Sequence, residues 1–120
     1  MRKKIASMVA VGIAVCMLLL SSVVSAETGY AVHYSDKFQG RKTASNEIFD
    51  QNELTAAHKK LPFGTQVKVT NLANDRSVVV KVNDRMARRN KNIIDLTKRA
   101  AEELGFVKSG RAKVKLEVVN

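Results

Sequence analysis

Cysteine is all but missing from this 120-residue chain, and its single example, Cys16, lies in an apolar run near the amino terminus. Proline occurs once, at Pro62, and histidine twice, at His33 and His58. Each scarcity excludes something. Beyond residue 26 there is no cysteine, so neither a disulfide nor thiol chemistry is open to the body of the chain. Two scattered histidines without cysteine argue against a structural zinc site, and no metal or cofactor is expected. No glycine-rich phosphate loop, nucleophile elbow or metal-ligand pair occurs. Internal repeats and low-complexity tracts are also missing.

What is present begins with a leader. Arg2, Lys3 and Lys4 precede an apolar stretch from Ile5 to Leu20, and Val24-Ser25-Ala26 supplies small residues for cleavage. That layout is a secretory signal peptide over residues 1–26. A retained anchor is the competing reading, since the run approaches the length of a short span. The small and polar residues directly after it favour cleavage, with no stable membrane insertion afterwards. Cys16 follows Val15, where a lipoprotein signal wants Gly, Ala or Ser, which argues against lipid anchoring. The expected location is the periplasm, the cell envelope or the medium.

Lys and Arg number 21 against 11 Asp and Glu, a net charge of +10; without the three basic leader residues it is +7. A basic exported domain points to an anionic partner. Envelope polymers suit export better than nucleic acid does, although charge also keeps a small protein soluble. A monomer is expected.

Tyr30, Val32 and Tyr34 alternate with Ala31 and His33 as in a short strand. Ser35 to Asn52 reads as a long polar loop, which Phe38, Ile48 and Phe49 could pin to a core; such loops are functional or disordered. Leu54 to Lys60 suggests a helical turn or two capped by Asn52 and ended by Pro62. Gly64 turns the chain into a hairpin, Thr65–Thr70 and Ser77–Asp84, joined by a polar turn in which Asn74-Asp75 suits positive φ. A short apolar run covers Asn92 to Leu96. Thr97 then caps a helix over Lys98 to Leu104, and Gly105 stops it. Ala112, Val114, Leu116 and Val118 alternate in a final strand. Five or six short strands and one clear helix in 94 residues suggest a small closed barrel.

Three places could carry chemistry. Alternation puts Asp84 on one face with Val78, Val80 and Val82, while Val79, Lys81, Asn83 and Arg85 take the other. A carboxylate beside valines suits a general acid, though an aspartate that caps a turn or pairs with Arg85 fits equally. Glu47 and Asp50 stand three apart in the long loop, beside Asn46, which tolerates a left-handed turn. Two carboxylates can divide acid and base roles in glycosidic cleavage, or be merely solvated. His58 could serve a site, or pack at an element's end against backbone groups. Spacing alone leaves function undecided.

Tyr34, the run Phe38-Gln39-Gly40-Arg41-Lys42-Thr43-Ala44-Ser45-Asn46-Glu47, Asp50 and the stretch Leu54 to Thr65 carry a resemblance, as do Val67 to Asn71, Val80 to Arg85 and Ile94-Asp95-Leu96. In this order, over nearly all of the chain after the leader, they closely resemble the rare lipoprotein A (RlpA)-like family. The resemblance implies a mainly β fold, a six-stranded double-psi β-barrel with one or two short helices, over residues 27–120. It implies an endolytic peptidoglycan lytic transglycosylase that cleaves glycan strands stripped of stem peptides and leaves 1,6-anhydro-muramyl ends. Its site residues fall on Glu47, Asp50, His58 and Asp84, with Asp84 as acid/base and the others shaping the groove or supporting it. Met86-Ala87 stands where the family often has Gly-Pro. Beside Asp84, the basic residues Arg85, Arg88, Arg89 and Lys91 could meet the lactyl carboxylates of such strands. An expansin-like wall-binding module without turnover is the alternative, since a fold does not guarantee an activity.

Overall fold

The structure, a computed structural model, describes residues 26–119; the expected leader through Ser25 lies outside the described residues. Six strands close into one barrel: β1 (Ala26–His33), β2 (Thr55–His58), β3 (Gln66–Asn71), β4 (Ser77–Arg85), β5 (Ile94–Leu96) and β6 (Arg111–Val119). Their spatial order is β1-β5-β2-β4-β3-β6. β1 pairs with β5, and β2 with β4, in parallel; the remaining contacts are antiparallel. The expected six-stranded, mainly β barrel is what forms. No helix among the described residues is long and apolar enough to cross a membrane.

Alternation builds the bore. Val67 and Val69 of β3, Val78, Val80 and Val82 of β4, and Val114 and Leu116 of β6 point inward and are buried, while Lys68 and Lys113 stay exposed. Helix α1 (Lys98–Leu104) closes the core with Ala100, Ala101 and Leu104. Thr97 caps it, its hydroxyl accepting from Ala100 N and donating to the Glu53 carbonyl. Gly105 ends it at φ 81°, a left-handed geometry that costs glycine little.

Two expectations are corrected. Leu54 to Lys60 is not helical: Thr55–His58 is strand β2, all four residues buried. Its backbone donors and acceptors are met on both sides by β4 and β5, and Pro62 leaves too little chain for a stable helix. Of the three residues expected to pin the long loop, only Phe49 is buried; Phe38 and Ile48 are exposed. The loop is held instead by backbone bonds such as Phe49 N to Arg41 O at 2.7 Å and Thr43 N to Glu47 O at 2.8 Å. Asn46 takes φ 71° within it, and Asp75 φ 61° in the hairpin turn, the left-handed geometry that each was expected to tolerate.

Candidate functional site

The site originates in one irregularity of pairing. Ala56 of β2 lies opposite Val82, but the next residue, Ala57, lies opposite Asp84. Asn83 is therefore an extra residue on β4, a bulge. Strict alternation puts Asp84 with Val78, Val80 and Val82 in the bore; the bulge turns it to the outer wall. The expected shared face is corrected accordingly: Val82 and Asn83 are both buried, and Asp84 leaves the valine row.

Ala57 also lies opposite Asp95 of β5. Asp84, Ala57 and Asp95 thus stand side by side across β4, β2 and β5. Strands lie about 4.8 Å apart, so the two aspartate Cα atoms are separated by roughly 10 Å, with only a methyl group between them. Tyr34, Phe49, Ala57 and Met86 form a small apolar cluster there, with the Tyr34 and Phe49 rings stacked at 4.3 Å. The resulting cleft, about 250 Å³, is lined by Tyr34, Phe38, Ala57, Asp84, Met86 and Asp95, with Arg85, Ala87 and Asn90 completing it. Met86, at the expected Gly-Pro position, is part of that apolar cluster.

Asp84 is held by donors alone. The Tyr34 hydroxyl donates to Oδ2, while the Ala44 and Arg85 backbone N–H groups each donate to Oδ1 at 2.9 Å. Burial, and then the bond to Asp84, raise the Tyr34 hydroxyl far above its ordinary range, so it keeps its proton. Asp95 is different. Its Oδ1 is buried without a hydrogen-bond partner among the described residues. Burial is the main reason that its carboxyl is pushed up to about 7; the Asp84 charge adds to the rise and His33 opposes it. One carboxylate accepts from three donors, and its neighbour has a buried oxygen that meets none among the described residues.

The other expected residues are dispersed. Glu47 is tied to β4 outside the cleft lining: Lys81 Nζ lies 3.0 Å from its carboxylate, and Asn83 Nδ2 donates to Oε1 at 3.2 Å. The Lys81 bond, then the Asn83 bond, hold its carboxyl below the usual range. Asp50 closes a turn, accepting from Asn52 N at 2.9 Å and from Gln39 Nε2 at 3.4 Å. His58 faces the opposite side of the sheet from Ala57. Its Nδ1 accepts from the N–H groups of Lys60 and Leu61 at 3.1 Å, which leaves the proton on Nε2, 3.0 Å from Glu27 Oε1. A separate cavity there is bordered by Leu61, Val67 and Leu116. His58 thus packs against backbone groups and Glu27, away from the Glu47–Asp50 loop.

Arg85 lines the cleft, but its Nη1 donates to the His58 and Leu61 carbonyls at 3.0 and 2.8 Å, and its guanidinium stacks over Phe63. Arg88, Arg89 and Lys91 are exposed on the loop that follows Ala87. Sequence reasoning passed over Asp95 and Tyr34 as site residues. A signal for Asp95 was present: a lone carboxylate between Ile94 and Leu96, where an apolar run otherwise continues.

A closed, mixed six-stranded barrel with two aspartates flanking an alanine on its outer wall defines a small double-psi barrel with an acidic cleft. Residues 26–116 match the model of the lytic transglycolase family, and the chain belongs to this RlpA-like family. It is 52% identical over 97 residues to the endolytic peptidoglycan transglycosylase RlpA of Rickettsia bellii, covering 78% of this chain and 43% of that protein. It is 50% identical over 93 residues to the protein of the same name from Neisseria meningitidis serogroup A, covering 78% of this chain and 39% of the relative. The chain spans about two-fifths of the length of these relatives. In fold it is similar to a Streptomyces papain inhibitor (TM-score 0.66, 21% identity, 82% of this chain and 98% of that one). It is similar also to an expansin of Clavibacter michiganensis (TM-score 0.63, 21% identity, 80% and 51%).

Proposed function

We propose that this chain is an exported lytic transglycosylase domain that cleaves peptidoglycan glycan strands lacking stem peptides and leaves 1,6-anhydro-muramyl ends. The observation that carries the reading is Asp84 at the mouth of the cleft, fixed by three donors beside a second carboxyl group. Glycosidic cleavage of this kind needs proton transfer at the leaving oxygen and a nucleophile. The muramyl 6-hydroxyl is the nucleophile, so no water has to be positioned. Asp84 takes part directly in proton transfer. Glu47 secures the bulge through Asn83, Asp50 shapes the loop whose Ala44 N–H reaches Asp84, and His58 braces the end of β2. The exposed Arg88, Arg89 and Lys91 meet the lactyl carboxylates, which stripped strands leave uncovered, while Arg85 orders the turn below them.

The test is incubation of the purified protein with amidase-treated sacculi and mass spectrometry of the products. Anhydro-muramyl ends are expected from the native protein and a loss of at least about a hundredfold in Asp84→Asn, with glycan retention unchanged. Retention without products from the native protein would instead make the chain a wall-binding module of expansin-like architecture.

A further inference from the structure

We propose that the two aspartates flanking Ala57 divide the proton transfers, Asp95 giving a proton to the glycosidic oxygen and Asp84 receiving one from the muramyl 6-hydroxyl. This rests on the transglycosylase reading above and assigns its acid and its base. The geometry is an asymmetric pair. Asp84 accepts from Tyr34, Ala44 and Arg85, which fills three of the four acceptor sites of a carboxylate and leaves one to receive a proton. Asp95 lines the same cleft, and its buried Oδ1 meets no donor. A bare buried oxygen belongs with the neutral carboxyl, since burying a charge without partners is costly. Its raised titration, near 7, agrees with that state.

Two charged groups among the described residues act on Asp95. Asp84 of β4 disfavours its charged form and His33 of β1 favours it, while Tyr34 stays neutral. β2 presents Ala57 on this side, and His58 points away from it. The gap left by Ala57 is where a glycosidic bond would lie between the two groups.

In the step, the Asp95 proton passes to the oxygen that links muramyl C1 to the next sugar. The C1–O bond breaks and its electron pair stays on that oxygen, giving a free hydroxyl. The muramyl O6 forms a bond to C1, and its proton goes to the Asp84 carboxylate. Together the two products hold all the atoms of the substrate, and no water is consumed. Solvent exchange then returns Asp84 to the charged form and Asp95 to the neutral one.

The test follows the initial rate of anhydro-muramyl formation from amidase-treated strands between pH 4 and 9, with thermal unfolding recorded for each variant. The native protein is expected to lose activity as the pH rises past about 7, as Asp95 ionises. Asp95→Asn, a neutral shape-mimic, is expected to fall at least about a hundredfold while folding and retaining glycan. His33→Gln removes the group that favours ionised Asp95, so its alkaline limb should move to higher pH. Should Asp95→Asn keep more than a tenth of the native rate, or the His33→Gln limb stay in place, the division of roles is overturned and the transglycosylase reading stands. Products absent even from the native protein would overturn both. If Asp95→Asn fails to fold, carboxyl carbon NMR of the native protein decides: titration near 7 supports the assignment, and titration below pH 5 overturns it.

Discussion

Asp95 has a measurable signature apart from any activity. Its carboxyl titrates near 7 in the folded chain against an ordinary value of 3.8. Between those values the folded chain keeps a proton that the unfolded chain has released. Stability therefore falls as the pH rises from about 4 to about 7, and this contribution is level above that. Asp95→Asn should match the native protein near pH 4 and exceed it near pH 8, on the order of a few kcal/mol; urea unfolding at both pH values measures this. Sequence reasoning found Asp84, Glu47 and His58 as chemistry-bearing residue types, but not which of them meet. Alternation places a residue on a face only where pairing is regular, and Asp84 follows an irregular step. His58 was assigned to the site through the family resemblance, and in the fold its Nδ1 accepts from two backbone donors.

At the level of elements, the strands with clean alternation and the capped helix were legible, because one face is buried and the other wet. β2 was not. All four of its residues are buried, so no polar–apolar rhythm marks it, and its conformation is set by the strands on either side. The start of α1 carries two connections at once through Thr97, to Ala100 N and to the Glu53 carbonyl. Thr97→Ala removes a cap and leaves a carbonyl without its donor, an expected loss of about 1–3 kcal/mol. Chemical denaturation will show it as a lower midpoint at an unchanged slope. Because Glu53 closes the segment that enters β2, glycan cleavage should fall less than stability does.

Across the whole molecule, the charge read from the sequence is unevenly placed with respect to the cleft. Arg88, Arg89 and Lys91 stand exposed beside it, whereas Lys81 is engaged by Glu47. If those loop cations meet lactyl carboxylates, retention on stripped glycan will weaken as salt rises. Charge reversal at Arg88 and Arg89 should then lower retention about tenfold or more at low salt and flatten the salt dependence. Retention unchanged by the reversal would remove the loop from glycan recognition. Closure of the barrel was foreseeable from the number of short strands. The order in which they neighbour one another was not, because β1–β5 and β2–β4 pair in parallel across long stretches of chain.

The bulge at Asn83 makes the direction of Asp84 a matter of odd and even. With Asn83 looped out of the pairing, Asp84 faces as the residue after Val82 would, so a change of length at this point tests the bulge apart from the direction of Asp84. Deleting Asn83 keeps every carboxylate, tyrosine and arginine of the cleft and sets Asp84 directly after Val82, still opposite Ala57 and outward, now in regular pairing. Such a deletion should lower the melting temperature through loss of the contacts that Asn83 makes with Glu47 and Ser45, whereas both it and Asn83→Ala should keep Asp84 outward and retain measurable turnover.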